Sequence, residues 1–145
     1  MNKRQLLVIG MWIGVSGFLE LLANPAIQAT ERLIIDQEKI GYVFRSELWE
    51  GKLDAKKQVA LKLQLFKGNE YCLCVGAEKK SGQKIQGNLV DEQLKGVGEF
   101  LPVLEGWGFV IFVKPQKTGT YLLLIESDTL VKGQLPVAVG IGYKP

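Results

Sequence analysis

Val59-Ala60-Leu61-Lys62-Leu63-Gln64-Leu65-Phe66 is the stretch whose reading decides the fold class. Leu61, Leu63 and Leu65 recur at every second residue with Lys62 and Gln64 between them, and in an extended strand alternate side chains point to opposite faces. The stretch predicts a half-buried strand. Lys67-Gly68-Asn69-Glu70 then supplies turn chemistry, and Tyr71-Cys72-Leu73-Cys74-Val75-Gly76-Ala77 resumes the alternation with Tyr71, Leu73 and Val75 on one side. The two segments read as a β-hairpin.

The same period continues outward. Residues 85–91 form a shorter strand with Leu89 and Asp91 opposite Asn88 and Val90, ending in a turn that contains Gly96 and Gly98. Residues 107–113 are almost wholly apolar, as a central strand buried on both faces would be, and Pro115 closes them. After Lys117-Thr118-Gly119-Thr120, the alternation places Tyr121, Leu123 and Ile125 on one face. Two flanking segments also read as strands, residues 40–47 with Tyr42 and Phe44 together, and residues 135–143 with Val137, Val139 and Ile141 at period two. Residues 30–36 read as a loose lead-in or a first edge strand. No apolar stripe at helical spacing stands out, and the 17 glycines interrupt any long helix. Short strands between regular turn signals predict an all-β chain, a single antiparallel β-sandwich over residues 30–145. Its expected core is Leu61, Leu63, Tyr71, Leu73, Phe109, Ile111, Tyr121, Leu123 and Ile125.

Residues 1–29 read as an export signal. Met1-Asn2-Lys3-Arg4 is a short basic start, and residues 6–19 are all apolar, Gly or Ser before Glu20 interrupts them. The run falls short of the ~20 apolar residues that a membrane-spanning helix needs, so no stable membrane anchor is expected after cleavage. Cleavage is placed after Ala29, with Ala26 and Ala23 as other cut points because Ile27 departs from the small residue preferred three positions before the cut. The chain is expected in the periplasm or secreted.

Composition removes several function classes. Eighteen Lys and Arg against fifteen Asp and Glu give a net charge of +3 over 145 residues, with no concentrated basic tract of the kind that neutralises nucleic-acid phosphates. The chain has no histidine, which removes Ser-His and Cys-His dyads, the usual zinc sites and the commonest general base. Ser46, Ser81 and Ser127 lack a nucleophile-elbow motif, and no spacing pairs two carboxylates for glycoside hydrolysis. The expectation is no enzyme, no cofactor, no metal and no nucleic-acid partner.

Three segments carry a family resemblance. Residues 65–75, with a glycine turn leading into a Tyr-initiated strand, resemble the opening part of bacterial pre-peptidase C-terminal (PPC)-like domains. Asn88-Leu89-Val90-Asp91-Glu92-Gln93-Leu94-Lys95-Gly96 is similar to the central segment of that family, and residues 109–125, with Gly119-Thr120-Tyr121 between two apolar strands, to its most recognisable part. The resemblance covers about residues 59–127 and implies a jelly-roll-like antiparallel sandwich of secreted or periplasmic bacterial proteins. Where such domains bind calcium they use clustered acids near the central strand. Here only Asp91 and Glu92 follow Leu89, too few oxygens for a hard cation.

Cys72 and Cys74 are the only thiols. Two residues along a strand separate their Cα atoms by about 6.6 Å with parallel Cβ vectors, which favours buried free thiols over a strained or intermolecular disulfide and over a soft-metal site. Trp107, between Gly106 and Gly108, and Trp49, beside Glu50-Gly51, read either as plugs at the ends of the sandwich or as exposed rings for stacking on sugar. Gly119 and Tyr121 read as scaffold, the glycine with positive φ and the tyrosine ring turned inward with its hydroxyl bonded at the edge. The functional expectation is an exported, non-catalytic binding or interaction domain of the bacterial cell envelope. It would present the loops around residues 76–86, 96–106 and 114–120 to a protein or envelope polymer. The alternative is a carbohydrate-binding domain using Trp107 and Trp49.

Overall fold

The structure is a computed structural model and describes residues 24–54, 58–79, 84–127 and 133–145. The basic start and apolar run of residues 1–19, expected above to be part of an export signal, lie outside the described residues. Helix α1 (Pro25–Glu38) comes first. Among the described residues ten strands follow: β1 (Val43–Phe44), β2 (Trp49–Leu53), β3 (Val59–Leu65), β4 (Glu70–Ala77), β5 (Ile85–Val90), β6 (Gly96–Val97), β7 (Glu99–Val103), β8 (Gly108–Val113), β9 (Gly119–Ser127) and β10 (Leu135–Lys144). One sheet runs β1-β10-β4-β8-β7 with β2 also paired to β10, the other runs β3-β9-β5-β6, and every pairing is antiparallel. The two sheets face each other as an all-β sandwich.

The core between the sheets follows the period-two pattern. Leu63 and Leu65 of β3, Tyr71, Leu73 and Val75 of β4, Phe109 and Ile111 of β8, and Tyr121, Leu123 and Ile125 of β9 are all buried there, with Leu61 partly buried against them. Every residue of the expected core is in place. The hairpin reading of β3 and β4 is corrected, however. β3 pairs with β9 and β4 pairs with β8 and β10, so residues 66–69 carry the chain from one sheet to the other. The same holds for β8 and β9. Two half-buried strands can lie side by side or face to face across a core, and their alternation is identical in both arrangements.

The lead-in of residues 30–36 is also corrected, being neither loose nor extended. Asn24 caps α1 by accepting from Ala26 N at 3.1 Å and Ile27 N at 3.2 Å, and Pro25 sits at the first helical position, where its missing N–H costs nothing. At the far end Gly41, with φ of 104°, lets Gly41 N and Tyr42 N reach the last carbonyls, Glu38 O and Gln37 O. Ala26, Thr30, Leu33 and Ile34 form the buried face at helical spacing. That stripe is built partly of Ala and Thr, which explains why hydrophobicity alone does not reveal it.

Helix α1 lies across the outer face of the first sheet. Leu33 and Ile34 pack there with Tyr42, Cys72, Cys74 and Val110 as a second buried cluster. The sheet accepts the helix through small residues. A Cβ on Gly76 would stand 2.7 Å from Thr30 N, and one on Gly140 would stand 2.6 Å from Ile34 Cδ1. β4 is thereby buried on both faces, and its cysteines face the helix while its Tyr71, Leu73 and Val75 face the sandwich core.

Candidate binding cleft

β8 runs between two ends of the sandwich about 20 Å apart, with Trp107 before its first residue and Lys114 after its last. The expected binding loops divide between these ends. Residues 114–120 lie at one end and residues 76–79 at the other, where Ala77 N donates to Trp107 O at 2.9 Å. The segment 96–106 runs from the first end to the second through β7.

At the Lys114 end the loops enclose a cleft of about 940 Å³ lined by residues 91–93, 95, 97–99 and 112–121, with Tyr42 and Glu70 at its side. Its frame is hydrogen-bonded throughout. Asp91 Oδ1 accepts from Gln93 N at 2.9 Å and Lys95 N at 3.0 Å, which closes the loop after β5 on itself. Glu92 Oε1 accepts from Thr120 N at 3.1 Å and so ties that loop to the start of β9. Tyr121 is buried, and its hydroxyl donates to Lys117 O at 2.7 Å, holding the β8–β9 crossing. Lys67 N donates to Thr118 Oγ1 at 2.9 Å, which joins the β3–β4 crossing to it. Asp91 and Glu92 thus each accept from backbone N–H groups.

The inward ring and bonded hydroxyl of Tyr121 are as expected, but the reason for Gly119 is not. Its φ is not in the left-handed region. What excludes a side chain is Glu92, whose Oε1 would lie 2.8 Å from a Cβ on Gly119. The glycine keeps room for the carboxylate that holds Thr120.

Sequence reasoning missed Leu94. It takes φ of 62° and is 73% exposed, the most exposed large apolar side chain among the described residues. A branched side chain in the left-handed region is uncommon and costs energy that the surrounding turn must supply. It stands between Gln93 and Lys95 at the rim of the cleft. No single-residue sequence signal marks it, because the Asp91 turn imposes the conformation.

The two tryptophans occupy other places. Trp49 lies in β2, packs against the main core and lays its ring over Gly51. Trp107 is half-buried at the far end of β8, with the Lys79 ammonium 4.4 Å from its ring centre. Its Nε1 is buried and has no partner among the described residues. Just before it, Leu104, Glu105 and Gly106 all take positive φ, a left-handed turn that leads into the Trp107 carbonyl, which accepts from Ala77 N at the end of β4. Neither ring lines the cleft.

Cys72 and Cys74 are free and fully buried, with their sulfurs 3.8 Å apart. The contact with Cys72 and then burial push the Cys74 thiol far above the ordinary thiol range, and burial followed by Cys72 and Glu70 raises the Tyr42 hydroxyl. A group whose pKa is raised on folding contributes stability below its unfolded pKa and loses it as pH rises. Stability is expected to fall above about pH 8.5, at up to about 1.4 kcal/mol per pH unit for Cys74. Urea midpoints measured from pH 7 to 10 check this, and Cys74→Ala should flatten the first part of the decline.

No protein-family model matches the chain, and no curated protein matches it.

Proposed function

We propose that this chain is an exported, non-catalytic binding module of the bacterial cell envelope, and that its ligand, a protein or envelope polymer, sits in the cleft at the Lys114 end. One observation carries the reading. The frame of the cleft is fixed by Asp91, Glu92, Thr118 and Tyr121, while among the described residues the side chains of Gln93, Lys95, Glu99, Gln116 and Lys117 on its lining make no hydrogen bond or ion pair. Rigid loops that present uncommitted polar groups are what a recognition surface requires. The only cleft lysine in an ion pair is Lys114, 3.3 Å from Glu70 Oε1, among the described residues. Export follows from the reading of residues 1–29, and the PPC-like resemblance of residues 59–127 agrees with a secreted sandwich. The carbohydrate alternative through Trp107 would need Lys79 to leave the ring face.

Binding of the purified domain to peptidoglycan, envelope polysaccharides and a peptide panel tests the site. Lys95→Glu with Lys117→Glu should weaken the best binder at least about tenfold, or about 1.4 kcal/mol, with an unchanged unfolding midpoint. Trp107→Ala should leave binding intact. Binding that survives the double reversal and disappears with Trp107→Ala would move the site to the opposite end of β8 and restore the carbohydrate alternative.

A further inference from the structure

We infer that the export signal is removed at the Ala23–Asn24 bond, and that residues 24–29 remain in the mature protein as the cap and opening turns of α1. The inference rests on the export reading. Three bonds follow an alanine in this region, after Ala23, Ala26 and Ala29, and the residues two positions before these alanines are Leu21, Asn24 and Ile27. None has the paired small residues that a signal peptidase prefers, so the sequence rule does not rank them.

The fold does rank them. A cut after Ala29 would make Thr30 the N-terminus, and Thr30 is fully buried, with its hydroxyl 3.0 Å from Ala26 O and 2.9 Å from Ala138 O. The new ammonium would stand against the Gly76 backbone, because a Cβ there would already be 2.7 Å from Thr30 N. Burying that charge without a partner is costly, and the opening turns of the helix would be lost. A cut after Ala26 would remove the Asn24 cap and the buried Ala26, leaving the new ammonium of Ile27 and Gln28 N without their Asn24 acceptors.

A cut after Ala23 has neither effect. Hydrolysis there consumes one water and leaves a carboxylate on Ala23 and an ammonium on Asn24. The cap stays whole, Asn24 is only half-buried, and its side-chain Nδ2 lies 3.5 Å from Glu50 Oε1, so a carboxylate stands at the residue that would carry the new charge. That carboxylate offsets the unfavourable position of a cation at a helix N-terminus.

The test is the N-terminus of the exported product. The full chain with a C-terminal tag is produced in a bacterial host, and the exported fraction is sequenced from its N-terminus and weighed by mass spectrometry. The expected product begins at Asn24. A product beginning at Thr30 or Ile27 overturns the processing site and leaves export standing, whereas an unprocessed chain confined to the cytoplasm overturns the export reading and the site with it. An unprocessed chain held at the membrane overturns the site alone. As a second measurement, the full chain lacking residues 24–29 should yield an exported product that melts at least about 10 °C lower. Equal melting temperatures would show that these residues are not part of the fold.

Discussion

Gly76→Val is expected to lift helix α1 from the sheet and to cost about 3 kcal/mol, at the upper end of the range for overpacked cores. Thr30 N and Thr30 Oγ1 lie 2.7 Å from where the first side-chain carbon would go, and Ala29 Cβ lies 2.9 Å from it. The strand cannot retreat, because Gly76 stands opposite Ala138 on one side and Gly108 on the other within two antiparallel ladders. The helix must move instead. Its departure uncovers the outer face of β4, so Cys72 and Cys74 should react with iodoacetamide in native buffer, whereas the wild-type thiols should react only after unfolding. Urea unfolding and mass-resolved alkylation measure the two effects on the same samples. A wild-type midpoint with silent thiols would show that the helix does not depend on this contact.

The second large effect belongs to Tyr121. Tyr121→Ala is expected to cost about 3–5 kcal/mol, as for other large-to-small aromatic changes in cores, because the ring is buried among Leu63, Leu123 and the rest of the main cluster. Tyr121→Phe isolates the hydroxyl. It keeps the ring and removes the 2.7 Å bond to Lys117 O, for an expected loss of about 1 kcal/mol. Both substitutions loosen the β8–β9 crossing that forms one wall of the cleft, so ligand binding should weaken together with stability. A near-wild-type urea midpoint for Tyr121→Ala combined with lost binding would place the ring in the ligand surface and contradict its reading as scaffold.

Much of the candidate site was open to sequence reasoning as scaffold and closed to it as a site. Asp91, Glu92, Gly119 and Tyr121 stood out as a pattern of turns and strand ends, which they are. That Glu92 reaches Thr120 and excludes a side chain at Gly119 depends on two loops separated by 28 positions meeting at one end of the sandwich. The tryptophans are conspicuous for their chemistry, yet the cleft side chains without a polar partner among the described residues are ordinary surface types, Gln93, Lys95, Glu99, Gln116 and Lys117. Residue type alone does not separate a lysine at a cleft from one on an open face. β2 and β7 carry no strand signal in the sequence, because their short, glycine- or proline-containing sequences, Trp49-Glu50-Gly51-Lys52-Leu53 and Glu99-Phe100-Leu101-Pro102-Val103, do not bury a clean alternating face.

The alternation of Leu61, Leu63 and Leu65, of Tyr71, Leu73 and Val75, and of Tyr121, Leu123 and Ile125 determined by itself that these segments are strands and which face of each is buried, because side-chain direction in a strand depends only on the parity of position. Pairing was decided by tertiary structure. Parity leaves open whether two buried faces lie in one sheet or oppose each other across a core, and only the packing of the whole chain sends β3 to β9 and β4 to β8 and β10. The helix stands between these cases. Its cap at Asn24-Pro25 and its stop at Gly41 are local and were present in the sequence. Its buried face of Ala26, Thr30, Leu33 and Ile34 acquires its value only against the small residues of β4 and β10, because close approach of two surfaces is a property of both together.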